Sequence, residues 1–450
     1  ELIRRRGHKA DYDSWAAQGS EYIIWNYDHC LEAFKAVENN ARINPDEEFK
    51  NYHGFNGLLH VQDSPVDKFD ISKDINGVGE YQFTMKDGKR FTLADGFLTD
   101  ALKEVKIYPP KPFIQGCPHP PPFRALDDNV GKFVAVNVKS FAHVLNIIWD
   151  EKKNDKNVAI GARYFCNGRI HNSYIAPKGE IIICGGAINS PQILMLSGIG
   201  PKNNLEVNNI KVRKELPVGR NLWDHPSCCI AATVSVPNST SASKLNYSGF
   251  GVDFVIFHKG NSQGKVPSKN EFLDERPDIQ LYAGALLFNK GILANNPTEE
   301  KEFYSMLSSL NIPSSVGHLE LRSSNPFAHP KIFLNFYQKP DDLYRMMSSL
   351  KLSCEILKKP PLSTDWGVKI IGLDNVDSDK GWEKYIREKA TSTLHACGTV
   401  KMAPESQGGC VNHRLQVYGT ENLRVVDASI FPTIPAGNIN APTAMVAWRA

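Results

Sequence analysis

The stretch from Cys184 to Pro201, CGGAINSPQILMLSGIGP, constrains this chain more than any other. The β-branched run GEIIIC leading into it has the pattern of a buried strand. Gly185 and Gly186 then allow a tight turn, because glycine enters unusual backbone regions without steric cost. Ser190 is placed to cap a helix, and Pro191 to occupy its first position, where a missing N–H is tolerated. QILMLS supplies the apolar turns, and Gly198, Gly200 and Pro201 stop them. Such a joint sets small residues and helix amides where a backbone can approach a large, flat cofactor. It also serves as an ordinary connection in an α/β fold, and its own residues do not separate the two readings.

The segments around it support an α/β chain. NYDHCLEAFKAVENN has helical spacing, GLLHV reads as a strand, and Asp87-Gly88 between alternating segments signals a hairpin. KFVAVNV, AHVLNIIWD, VAIGARYF, SYIAP and GEIIIC form a meander that runs into the joint. Downstream, VDFVIFHK, DIQLYAGALLF, HLELRSS and KIFLNFY read as strands, and DDLYRMMSSLKLSCEILKK as a helix. LRVVDAS alternates like a strand, and APTAMVAW begins a helix with Pro442 near its first turn. The proline-rich tract at 108–123 reads as a rigid loop.

Composition excludes several function classes. A chain of 450 residues has room for two or three domains and a large core. Its 52 Lys and Arg against 49 Asp and Glu give a net charge of +3, too balanced to argue for nucleic acid or a membrane surface. No apolar run approaches the ~18 residues of a membrane span. Nine scattered cysteines include no CxxC pair, so no metal site is expected. Asp224-His225-Pro226 followed by Cys228 and Cys229 likewise has the spacing of no common metal site. Gly260-Asn-Ser262-Gln-Gly264 fits the hydrolase pattern G-x-S-x-G, yet no apolar helix follows it. Two sequons, at Asn238 and Asn246, lean toward a secreted, extracellular protein.

Longer motifs carry a resemblance. GGAINSPQILMLSGIGP resembles the second signature of the glucose–methanol–choline (GMC) oxidoreductase family. RRGHKADYDSW resembles the end of its first signature, and VGRNLWDHP its link into the substrate domain. LHACGTVKM and VVDASIFPTIPAGNINAPT resemble its C-terminal catalytic motifs. The matches run in family order over nearly the whole chain. The substrate-domain sequence resembles insect members most closely, of the glucose dehydrogenase, ecdysone oxidase and salicyl alcohol oxidase kinds.

The resemblance implies a FAD enzyme that oxidises a small-molecule alcohol to a carbonyl by hydride transfer to flavin N5, with oxygen or a quinone as the electron acceptor. A sugar, an aromatic alcohol and an ecdysteroid are the implied substrates. His395, ahead of Gly398-Thr399, falls on the family's catalytic histidine and is implied as general base. An imidazole suits this role because its ordinary pKa lies near working pH. Asn438 falls on the second catalytic position, where the family has His or Asn; an amide can orient a hydroxyl but cannot take its proton. Cofactor contacts are implied for Phe141, Asp427, Ala428, Asn438, Ile439 and Thr443. Among them, Asp427-Ala428 would meet the ribityl chain and Thr443 would face the pyrimidine carbonyl from a helix N-terminus.

The implied fold is an FAD-binding Rossmann-like domain interleaved with an α+β substrate domain built on an antiparallel sheet. The expected division gives 1–40, 124–204 and 392–450 to the FAD domain, and 41–123 and 205–391 to the substrate domain. One departure stands out. A dinucleotide site needs a glycine fingerprint on its first strand–helix turn, and Gly77-Val-Gly79-Glu-Tyr-Gln82 fails at the third glycine. The sequence therefore reads as a fragment cut at both ends and lacking the first βαβ unit. The alternative is a degenerate, non-catalytic GMC-like protein that binds a ligand without FAD.

Overall fold

A computed structural model describes residues 5–63, 78–79, 82–87, 89–97, 123–127, 132–136, 138–153, 156–235, 254–267, 276–284, 302–374 and 376–450. Both sequons and the proline-rich tract up to 122 lie outside the described residues. In chain order the elements that position the site begin with helices α1 (Lys9–Ala16) and α2 (Tyr27–Val37) and strands β1 (Glu38–Asn40), β2 (Leu59–Asp63) and β3 (Val78–Gly79). Strands β4 (His143–Trp149), β5 (Asn157–Cys166), β6 (Arg169–Tyr174) and β7 (Ile181–Ile183) lead into α3 (Gly186–Leu196). Then come β8 (Pro226–Val234), β9 (Phe254–His258), β10 (Ile279–Gly284) and β11 (Glu302–Leu310). Helix α4 (Pro340–Leu357), β12 (Lys369–Ile371), α5 (Asp379–Lys389), β13 (Leu423–Val425) and α6 (Asn440–Arg449) complete the set.

Two cores organise these elements. In the first, the aromatic residues Tyr12, Trp15, Tyr22, Trp25 and Phe34 pack with residues of α3, of 397–434 and of α6. Here β7 and β13 pair in parallel, Ile181 opposite Leu423 and Ile183 opposite Val425. In the second, an antiparallel sheet runs in the order β12–β8–β11–β10–β9–β3. Met346, Met347, Leu350 and Leu357 of α4 cover it, with Trp382, Tyr385 and Ile386 of α5. This is the α/β class with an antiparallel second sheet that the sequence implies. The boundary differs from the expected 204: Leu205, Leu216 and Val218 pack in the first core, and Leu319 and Leu321 return to it. The reason is a parallel pairing of Ile199–Gly200 with Lys214–Glu215, which holds the segment between them on the first core.

The joint at 184–201 also departs from its local reading. Helix α3 starts at Gly186, and Pro191 lies inside it. Ser190 does not cap a helix beginning beside it; its hydroxyl accepts from the Gly185 amide at 2.8 Å and donates to Asp427. Asp427 accepts from the Gly186 amide at 2.8 Å, placing a carboxylate at the helix N-terminus, where the backbone dipole favours it. The earlier start leaves Pro191 without an N–H for the Ala187 carbonyl. Thr399 supplies the missing donor, its hydroxyl bonding that carbonyl at 2.7 Å. Thr399→Val therefore strands a buried acceptor and is expected to lower stability by about 1–3 kcal/mol. Urea unfolding checks this, with Thr399→Ser recovering most of the loss.

Candidate active site

Two distant segments run side by side to make the site. Pro226 and Ser227 pair with Ser392 and Thr391 in antiparallel register. Further along, Trp223 bridges Cys397. Three steps on one side thus face five on the other, so the second segment bulges, and bulges re-aim side chains. Leu394 sits in this bulge with φ +64° and is 87% exposed. His395, the next residue, points inward and is only 4% exposed. The chain re-enters its pairing at Cys397, and Gly398 follows with φ +84°. A Cβ there would lie 2.4 Å from the Asn221 carbonyl oxygen, so only glycine fits.

His395 is held from every side. Its backbone amide donates to Asp224 Oδ1 at 3.0 Å, and the His225 amide donates to the same oxygen at 2.8 Å. Ser392 donates its hydroxyl to Asp224 Oδ2. On the ring, Nδ1 lies 2.9 Å from His225 Nδ1 and 2.9 Å from Thr393 Oγ1. The other nitrogen, Nε2, lies 3.3 Å from Asn438 Nδ2. Asn438 Oδ1 in turn accepts a long 3.4 Å bond from the Tyr282 hydroxyl, at the end of the second sheet. The two residues implied as catalytic are thus brought together, 43 positions apart in sequence.

The implied cofactor residues distribute differently. Asp427 Oδ1 accepts from the Ser429 amide at 2.8 Å while its other oxygen caps α3, so its carboxylate ties β13 to α3. Ala428 is buried beside it, its carbonyl accepting from the Gly398 amide at 3.0 Å. Ile439 is buried at the start of α6, and its carbonyl takes both the amide (3.0 Å) and the hydroxyl (2.8 Å) of Thr443. The Thr443 amide is therefore committed within the helix. Phe141 stands apart on the turn before β4, with φ +55° and 80% exposed.

Sequence reasoning missed Asp224, His225 and Thr393. In DHPSCC the sequence offers His225 and two thiols with no common metal spacing, and among the described residues no group of three or more possible metal ligands occurs. The place of Asp224-His225 inside the VGRNLWDHP motif was the available signal. The Ser262 pattern is a turn, in which the Gly264 amide bonds the Asn261 carbonyl at 3.0 Å. Among the described residues eight cysteines are free thiols, and no helix is long and apolar enough to cross a membrane.

Burial first, and then the neighbouring His395, hold His225 well below its ordinary pKa, against an opposing pull from the backbone of Pro435 and Asn311. It stays neutral when folded and gains a proton near pH ~6.5 when unfolded. The unfolded chain thus binds more protons below that pH, so stability is full above it and is lost as pH falls toward the folded value. The expected slope is about 1.4 kcal/mol per pH unit. Asp224 acts with the opposite sign: burial raises its pKa, against the bonds from Ser392 and the two histidine amides and the charge of His395. Its contribution is full below its ordinary range and falls as pH rises through the folded value. Comparing wild type with His225→Asn at about pH 5 and about pH 7.5 isolates the histidine component, which the variant should lack.

A surface suited to a flat cofactor adjoins this cluster. The parallel strands β7 and β13 end at Ile183 and Val425, and ligands of open α/β sheets bind beyond such carboxyl ends. There Cys184 is exposed, and nothing lies within 4 Å of where a Cβ on Gly186 would point. Small residues and bare backbone, with His395 and Asn438 tied to the same core, fit a flavin. Comparison with known proteins agrees. The GMC oxidoreductase profiles match residues 124–227 and 313–447. Mitochondrial choline dehydrogenase of Mus musculus is 30% identical, the match covering 100% of this chain and 72% of that one. The chain belongs to the GMC oxidoreductase family. Glucose dehydrogenase (FAD, quinone) of Drosophila pseudoobscura pseudoobscura is 28% identical over 99% of this chain and 70% of its own length. Mammalian and fly relatives at similar identity establish the family without singling out an insect subgroup. Among solved structures, pyridoxine 4-oxidase from Mesorbium loti shares the fold, with a TM-score of 0.76, 20% identity and coverage of 99% of this chain and 80% of that one. As a GMC oxidoreductase the chain is an FAD-dependent oxidoreductase acting on CH–OH groups.

Proposed function

We propose that this GMC oxidoreductase oxidises a small alcohol to its carbonyl with His395 as the base. The single observation that carries the reading is the inward-facing His395, with Nε2 beside Asn438 and Nδ1 engaged behind it. FAD, when bound, supplies the acceptor for the hydride leaving the alcohol carbon. His395 Nε2 accepts the hydroxyl proton, and Asn438 orients the oxygen by hydrogen bonding without competing for that proton. The buried Asp224 carboxylate accepts from the His395 backbone amide and so holds the residue in place. Tyr282, reaching Asn438 from β10, brings the second sheet to the rim of the site, so that sheet contributes to substrate choice.

Candidate substrates are choline, a sugar, an aromatic alcohol and an ecdysteroid, with oxygen or a quinone as electron acceptor. The names of the choline and glucose dehydrogenases above support the first two. Anaerobic mixing of FAD-loaded protein with each alcohol tests the reading. Bleaching of the flavin band by at least one class is the expected result, and reoxidation by oxygen against a quinone then assigns the acceptor. A colourless protein that cannot be reconstituted with FAD would instead support a non-catalytic binding protein.

A further inference from the structure

We infer that Thr393 and His225 together lock His395 in the tautomer protonated at Nδ1. The Thr393 hydroxyl lies 3.1 Å from the His225 carbonyl oxygen and 2.9 Å from His395 Nδ1. A carbonyl oxygen can only accept, and a hydroxyl has one proton, so that proton goes to the carbonyl. Toward His395 the threonine oxygen therefore accepts, and the proton between them belongs to His395 Nδ1. The same Nδ1 faces His225 Nδ1 at 2.9 Å. Two N–H groups cannot point at one another, so His225 Nδ1 is bare and its proton sits on Nε2.

The far end of this chain agrees with the assignment, while at the near end the N–H on His225 Nε2 has no hydrogen-bond partner among the described residues and only leans toward the backbone of Pro435 and Asn311. His225 is fully buried and held neutral, as an acceptor must be. At the far side His395 Nε2 is left without a proton and meets the donor Asn438 Nδ2 at 3.3 Å, whose carbonyl end accepts from Tyr282. In the opposite tautomer, Nε2–H would face an amide N–H. In a neutral imidazole the hydrogen bond made by one nitrogen decides which nitrogen is basic. Thr393 and His225 are positioning residues here: they touch the ring from behind and turn its one basic lone pair toward Asn438. The device is built from residues 225 and 393, which the bulge at 392–397 brings against one ring.

The functional weight of this lock rests on the reading of His395 Nε2 as the base, and the test separates the two. FAD-loaded protein labelled with ¹⁵N-histidine is compared with its His395→Gln variant to identify the His395 nitrogens. The expected wild-type pattern is a protonated Nδ1 and a pyridine-type Nε2. Thr393→Val, close in shape, removes the deciding acceptor and is expected to mix the two tautomers. It should also slow flavin reduction by about tenfold or more, as loss of a ring-orienting partner does elsewhere, with little change in substrate Kd. Thr393→Ser should restore both readouts. His225→Asn, which keeps an acceptor near the position of Nδ1, should keep the wild-type ¹⁵N pattern. A wild-type spectrum with Nε2 protonated overturns the inference, as does a Thr393→Val protein whose ¹⁵N pattern is unchanged. If the pattern is as expected but His395→Gln is reduced at the wild-type rate, the tautomer lock stands and the base assignment fails.

Discussion

His395→Gln, loaded with FAD and mixed anaerobically with an alcohol that bleaches the wild-type flavin, is expected to be reduced at least ~100-fold more slowly. Glutamine keeps a polar group in the cavity and can hydrogen-bond, but it cannot accept a proton near neutral pH. The loss should fall on the limiting rate of reduction rather than on substrate Kd, because the proton moves in the reacting step. The residual rate should climb as pH is raised and solvent takes over the proton. Equal flavin content in the two proteins, read from the visible spectrum, excludes a loss of cofactor. Reduction at the wild-type rate would remove His395 from the role of base. The histidine is suited to the role because its surroundings divide the work. Asp224 anchors the His395 amide, His225 stays neutral behind the ring, and Asn438 lies against Nε2.

Arg345→Leu is expected to destabilise the second core by about 3–5 kcal/mol. Arg345 is buried on α4 and donates to Asp278 at 2.8 Å and to Asp342 at 2.7 Å, both carboxylates also buried. Those carboxylates fasten loops: Asp278 accepts from the Gly260 amide at 2.7 Å, and Asp342 from the amides of Ser314 and Ser315 at 2.8 Å each. Leucine fills part of the space but leaves two negative charges facing each other in low dielectric. Equilibrium urea unfolding checks the size of the effect. Because the charges are what hurt, Arg345→Leu combined with Asp278→Asn and Asp342→Asn should recover part of the loss. A single variant as stable as wild type would show that the cluster contributes nothing net.

Much of the fold was legible locally. The alternation of β4 and β5 and the apolar face of α2 are written in residue spacing, which fixes which side of an element meets the core. The joint at 184–201 showed its limits. A serine and a proline gave a sound local start for a helix, and tertiary structure moved that start to Gly186. Asp427, 237 positions beyond Ser190, caps the earlier turn, and Thr399 satisfies the carbonyl that Pro191 cannot.

The site divides along the same line. The sequence by itself determined the family, through motifs in a fixed order, and those motifs singled out His395 and Asn438, which the structure brings within 3.3 Å of one another. Glycine is unavoidable at Gly398, by contrast, only because the folded chain brings the Asn221 carbonyl oxygen to 2.4 Å from where a Cβ would stand. Only the tertiary structure decided that His225 and Thr393 sit behind the histidine. Residues 225 and 395 are 170 positions apart, and their contact depends on strand register plus a bulge. Neither is encoded in local spacing, because register is set by the packing of whole strands against α4 and α5, and one residue of slip would turn every side chain to the other face. That same packing places Tyr282 against Asn438.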